Sequence, residues 1–244
     1  MASTIPLSRV VEMTRRFINR APLVFTGTND PAFSIGDWVR GFILSPPLAW
    51  RWNRGTKQIA LVPGQQDYVL NIPNFGWLEQ AAITDQITTS STPSPMPTYQ
   101  LIVRLDLDVE TVQNQPTHIA ARLDDGNGNI TFRLMPSPDR PYVLNITWQS
   151  AAPIFQTISD FWTPIPDYFY YLIQTGFLAK SYEYTGDEKF AATMQMFVRQ
   201  VAAANGGLSD SQIDLTLLDQ LDSQRTLQSD LESSAIGRRG RTLS

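Results

Sequence analysis

The chain carries a single histidine, His118, and no cysteine. Disulfides, thiolate metal sites and cysteine nucleophiles are therefore excluded. His118 sits between Thr117 and Ile119 in an alternating stretch, where a hydrogen-bonded sheet histidine is the expected role rather than a general base. Asp106, Asp108 and Glu110 alternate along an extended segment, so their carboxylates can share one face and offer hard oxygen ligands to Ca²⁺ or Mg²⁺. The same alternation fits the solvated end of a strand, and that reading is preferred. Asp125, Asn127 and Asn129 imitate the opening of a calcium loop. However, Ile130 stands where that loop needs glycine and Pro136 where it needs a bidentate glutamate, so a hairpin turn is expected. Trp50, Trp52 and Trp77 could stack on sugar rings, although core packing and subunit contact are the commoner fates of tryptophan. No GxSxG elbow, phosphate loop or HExxH helix occurs. The sequence thus predicts no catalytic residue, no metal and no cofactor.

Composition points the same way. The 244 residues are 42% hydrophobic and 17% charged, with 6 Trp, 12 Phe and 8 Tyr. A folded chain so poor in charge is expected to bury surface against other chains. The net charge is −4, which argues against a broad DNA-binding footprint. Residues 1–55 hold seven basic against three acidic residues, and 56–150 and 151–244 each sum to −4. No apolar run is long enough to cross a bilayer, and no signal peptide is evident near the N-terminus.

The elements that must position these groups follow from periodicity. Ser8–Arg20 carries Val10, Val11, Met13, Phe17 and Ile18 at helical spacing, ended by Ala21-Pro22. Asp30-Pro31 reads as an N-cap and first turn of a second helix, with Ile35, Trp38, Val39, Phe42 and Ile43 inward and a stop at Ser45-Pro46-Pro47. The period then shortens. Strands are expected at Gln58–Val62, Tyr68–Ile72, Trp77–Thr84, Tyr99–Asp106, Thr117–Leu123, Ile130–Met135 and Tyr142–Trp148. Asp124–Asn129 marks one hairpin and Ser137–Pro141 a second. Ser90–Pro97 is a polar loop. Thr163-Pro164-Ile165-Pro166-Asp167 opens a third helix running to about Tyr184, and Glu188–Ala204 forms a fourth, closed by Asn205-Gly206-Gly207. Ser209–Leu221 has room for one short helix, and Arg225–Ser244 reads as a tail without a core.

The predicted class is α+β: a four-helix bundle formed by the N- and C-terminal helix pairs, with an inserted, mostly antiparallel β-domain and an extended C-terminal tail. Residues 1–55 and 160–207 would make the discontinuous bundle, 56–159 the β-domain and 208–244 the extension.

Three stretches resemble the head-to-tail adaptor family of tailed bacteriophages, including its tail tubular protein A group. They are Pro47-Leu48-Ala49-Trp50-Arg51-Trp52-Asn53, then Leu61-Val62-Pro63-Gly64-Gln65-Gln66-Asp67-Tyr68-Val69-Leu70, similar to a hairpin of that family, and then Ile165-Pro166-Asp167-Tyr168-Phe169 with the two helices ending at Asn205-Gly206-Gly207. The resemblance implies a structural virion protein of the neck or tail, made in the host cytoplasm. Such a protein is a homo-oligomeric, dodecameric ring that joins the portal protein to a downstream tail or nozzle protein. DNA passes through its channel without specific binding, and it touches no membrane. It further implies that the C-terminal segment reaches the portal, through Leu227, Leu231, Ile236, Arg238, Arg239 and Arg241. Trp38, Trp50, Trp52, Tyr168 and Phe169 are expected as aromatics of the core or of ring contacts. The alternatives are another neck or tail-completion virion protein, or a carbohydrate-binding module built on the β-domain.

Overall fold

The computed structural model describes residues 3–17, 31–85, 97–109 and 112–206. Among these, four α-helices and seven strands follow one another in two blocks of helices around one block of strands: α1 (Leu7–Arg15), α2 (Pro31–Leu44), β1 (Arg54–Ala60), β2 (Asp67–Asn71), β3 (Phe75–Asp85), β4 (Thr98–Arg104), β5 (His118–Asp124), β6 (Asn129–Met135), β7 (Tyr142–Ser150), α3 (Tyr170–Thr185) and α4 (Phe190–Asn205). The α+β class is as expected, and each predicted strand has its counterpart. The chain divides into two compact units. Of the described residues, one unit takes in those within Arg40–Phe155 and Trp162–Pro166, the other those within Thr4–Val39, Gln156–Phe161 and Asp167–Gly206.

In the first unit the strands form one mixed sheet in the order β1-β7-β3-β4-β5-β6-β2. Only β4 and β5 run parallel, among the described pairs. The order overturns two local expectations. The stretch Leu61–Gln66 is no hairpin turn, because β1 pairs with β7 and β2 with β6. Ser137–Pro141 is no hairpin turn either, since it carries the chain from β6 to a strand four places away. The Asp124–Asn129 hairpin does form, between β5 and β6.

The link between β1 and β2 dictates the sheet's shape. Seven flat strands would measure about 29 Å from edge to edge at ~4.8 Å per spacing. Six linking residues fully extended reach at most about 25 Å, and these turn at Pro63-Gly64. The sheet must therefore curl until its edges approach. Tyr68 pins the link: its hydroxyl accepts from Val62 N at 3.0 Å and lies 3.1 Å from the carbonyls of Val62 and Gln65. The curl encloses one core of Tyr68, Ile83, Leu101, Ile119, Phe132, Tyr142, Leu144 and Ile146. Along β7 these alternate with half-exposed residues, as the two-residue strand period requires. Each such side chain contributes roughly 1.5–3 kcal/mol by leaving water.

In the second unit α3 is central, burying Leu172, Ile173, Gly176, Phe177, Ala179 and Tyr182 on several sides. Gly186 at φ 66° ends it in the left-handed conformation that glycine adopts without penalty, and α4 returns antiparallel. The helices meet where a side chain is missing. A Cβ on Gly176 would lie 2.7 Å from the Phe197 ring and 2.9 Å from Val39. Gly176→Ala is thus expected to cost about 1–3 kcal/mol through overpacking, which outweighs alanine's better helix propensity and is readable from urea unfolding. Trp38 of α2 meets the Phe197 ring at 6.3 Å, with the Lys180 ammonium 4.1 Å over its indole.

Helix α1 runs alongside α3. The Arg9 guanidinium lies 5.3 Å over Tyr170, and Gln174 Nε2 donates to Met13 Sδ at 2.9 Å. The first amides of α1 have no capping side chain; Leu7 N and Ser8 N donate instead to the carbonyls of Asp160 and Ile158, each at 2.9 Å. Two helix boundaries differ from expectation. Phe17, expected within the first helix, lies past its end at Arg15 and is 53% exposed. Helix α3 begins at Tyr170, after a 3-10 turn at Asp167–Phe169.

Candidate functional site

The tryptophans were the sequence's most ambiguous residues. Helix α2 ends at Leu44 with carbonyls that have no partner within the helix. Trp50 Nε1 donates to Ile43 O at 2.6 Å, and Trp77 Nε1 donates to Leu44 O at 3.1 Å. Two indoles from outside the helix thus close its C-terminus. Trp50 is buried, and its backbone is read by Gln149: Trp50 N donates to Gln149 Oε1, and Gln149 Nε2 donates to Trp50 O, both at 3.2 Å. Gln149 Nε2 also reaches Glu79 Oε2 at 2.6 Å, and Glu79 receives both nitrogens of the Arg54 fork. The chain Trp50–Gln149–Glu79–Arg54 therefore ties α2, β7, β3 and β1 into one polar network.

Trp52 stacks on Trp50 with centroids 5.4 Å apart and lines an open cleft of about 380 Å³ together with Asn53, Arg54, Asn74, Thr163 and Pro164. Buried Arg40 donates to the carbonyls of Pro153 and Thr163 and lies 3.7 Å over the Phe155 ring, which meets Trp162 edge-on at 5.1 Å. Of the three tryptophans considered for sugar stacking, two serve as helix caps and one lines this cleft.

The acidic residues gather around arginine rather than around a cation site. Arg133, buried on β6, grips Asp67 through two nitrogens at 2.7 Å each and donates to Leu107 O at 3.4 Å. Asp106 faces Arg122 at 3.7 Å, and both Asp106 and Asp108 add to the field that favours the charged form of Arg133. Among the described residues no group of three or more carboxylate or histidine side chains could hold a metal ion; Glu110 lies outside them. His118 Nδ1 is 2.8 Å from the hydroxyl of Thr117. Asp125 works as a turn, accepting from Asn127 N and Asn129 N at 2.8 and 3.1 Å and from Asn129 Nδ2 at 2.7 Å.

Hydrogen bonding from Arg133 and its charge hold the Asp67 carboxyl below its ordinary range, against the opposing effect of burial. A depressed folded pKa contributes stability that is present above the unfolded value of about 3.9 and is lost as pH falls through the folded value. Asp67→Asn is therefore expected to unfold at lower urea than the wild type at pH 7, with the gap narrowing as pH falls below the unfolded value of about 3.9. An equal gap at pH 7 and below that value would sink this account.

Both units expose apolar side chains. In the sheet unit Leu105 is 99% exposed, accompanied by Ile102 on β4 and by Val109 and Val112 beyond it. In the helical unit Tyr168 is 67%, Phe161 50% and Tyr171 44% exposed. Phe169 links the two tyrosines, with centroids 4.4 and 6.4 Å away. Thr4 N donates to Asp167 Oδ1 at 2.9 Å and Pro6 bridges Phe161, so the N-terminal segment gathers these aromatics at one end of the helices. Isolated apolar side chains are ordinary on a surface; clusters of them mark contacts with other molecules.

A family model described as SU10 adaptor protein matches residues 12–225. The chain belongs to this family. It is a structural adaptor of a phage, and so a component of the phage particle. No curated protein matches it. Among the adaptor's described residues no helix is long and apolar enough to cross a membrane.

The expected aromatics of the adaptor divide by environment. Trp50 is core, Trp38 and Trp52 are half-buried, Phe169 is half-buried beneath its neighbours, and Tyr168 faces outward. The expected portal contacts Leu227, Leu231, Ile236, Arg238, Arg239 and Arg241 lie outside the described residues. Gln149, Arg40 and Arg133 were not singled out by sequence. Each is a polar residue within or beside an apolar stretch, a signal that gains meaning only once its carbonyl and carboxylate partners are known.

Proposed function

We propose that the adaptor assembles into a dodecameric ring beneath the portal, joins head to tail around the path of the DNA, and catalyses no reaction. The observation that carries this reading is the family match over residues 12–225. In this proposal the helices of residues 1–55 and 160–207 form a four-helix wedge that tiles around the ring axis. The β-domain, 56–159, faces outward or toward the tail and its nozzle protein, and the extension of residues 208–244 reaches the portal through its end. The exposed aromatic and aliphatic clusters suit repeated protein contact, and tiling multiplies weak contacts by avidity. The net charge of −4 suits a passage through which DNA slides without adhering.

Electron microscopy of the adaptor mixed with its portal tests the proposal. Closed rings seated on the portal are the expected result. Free adaptor beside bare portal, or attachment only to tail components, would replace this assignment with another neck or tail role.

A further inference from the structure

The aromatic cluster of the helical unit lies where the chain leaves α4. Helices α3 and α4 are antiparallel about the Gly186-Asp187 link, with Phe197 packed on Gly176. Residues equally far from that link are neighbours, so Asn205 at the end of α4 comes level with Tyr168 and Phe169 before the start of α3. Gly206, at φ 66°, then turns the chain out of the helix. The next residues, Leu208–Leu221, include Leu208, Ile213, Leu215, Leu217, Leu218 and Leu221, with Ile213, Leu217 and Leu221 recurring every fourth residue. That spacing gives a helix one apolar face.

We propose that Leu208–Leu221 of the same chain folds back as an amphipathic segment onto Phe161, Tyr168 and Tyr171. Three observations select this occupant. Only Gly206 and Gly207 separate Leu208 from Asn205 at the end of α4, so the segment is held at high local concentration beside the cluster. Its acids, Asp210, Asp214 and Asp219, are unmatched by any basic residue within it, while exposed Arg9 lies over Tyr170 at the same end of the helices. The family match runs to residue 225, taking in this segment and leaving out the arginine-rich end. In this proposal 208–221 is an anchor that completes the helical unit, distinct from the arginine-rich end that the family match leaves out. This inference does not depend on the ring.

Amide hydrogen exchange on the full chain tests it. Peptides covering 213–221 are expected to exchange about ten-fold or more slowly than peptides from 226–244. Phe161→Ser/Tyr168→Ser should abolish that difference while α3 and α4 keep their own protection. Leu217→Asp/Leu221→Asp should do the same from the segment's side, and decides the matter if the first variant loses its fold. Equal exchange of 213–221 and 226–244 in the wild type overturns the proposal, as does protection that survives Leu217→Asp/Leu221→Asp. Protection that strengthens with protein concentration also overturns it, by making a second copy the occupant.

Discussion

A chain truncated before Leu227 is expected to unfold at the same urea concentration as the full chain and yet to bind its portal at least about 100-fold more weakly, because a contact repeated around a ring is multiplied by avidity and its loss is multiplied equally. Every described helix and strand ends by Asn205, and the family match ends at residue 225, so the deletion cuts no described element. What is removed is Leu227, Leu231 and Ile236, with Arg238, Arg239 and Arg241. Such a segment can order on a partner and spread contacts over a wide surface, at an entropic cost that the partner must offset. Reversing only the three arginines to glutamate separates the contributions. Binding lost with the arginines and weakened by salt assigns the contact to charge; binding that persists assigns it to the apolar residues. Co-sedimentation with purified portal reads all three proteins, and undiminished attachment of the truncated chain would refute the C-terminal assignment.

The largest effect on stability is expected at Trp50. Trp50→Ala should lower the unfolding free energy by about 3–5 kcal/mol, since it empties a large buried site. Trp50→Phe keeps most of the apolar volume but withdraws the donor from the Ile43 carbonyl at the end of α2. An orphaned buried acceptor costs about 1–3 kcal/mol, so the phenylalanine variant should fall between wild type and alanine. Urea midpoints with unchanged slopes would check the order. Trp77→Phe offers a companion measurement, because its indole serves the next carbonyl, that of Leu44. If Trp50→Phe matches the wild type, water or another donor serves Ile43 and the capping account fails.

Local chemistry made the elements of this adaptor legible. Pro31 opens α2 and Pro46-Pro47 follows its end, Gly186 and Gly206 close α3 and α4 at positive φ, and Asp125 folds the β5–β6 hairpin through its own neighbours' amides. The alternation from Tyr142 to Trp148 identified a strand, and the structure buries Tyr142, Leu144 and Ile146 on one face of it. These features are settled within a few residues of one another, which is why sequence periodicity and turn chemistry suffice. The absence of catalytic motifs pointed to a structural role by the same local reasoning, and the family match agrees with that direction.

Partner choice was decided elsewhere. Pro63-Gly64 and Ser137–Pro141 carry the turn chemistry of hairpins, yet each joins strands that do not pair, because the sheet buries Tyr68, Phe132 and Leu144 in one core only by curling. The roles of Trp77 as a helix cap, of Gln149 as the reader of Trp50 and of Arg133 as the clasp on Asp67 exist only between residues far apart in the chain. A strand's period is fixed by its own backbone, whereas its neighbour is fixed by which arrangement removes the most apolar surface from water while satisfying every buried polar group. That balance is struck over the whole unit at once, and so it was the tertiary structure that settled it.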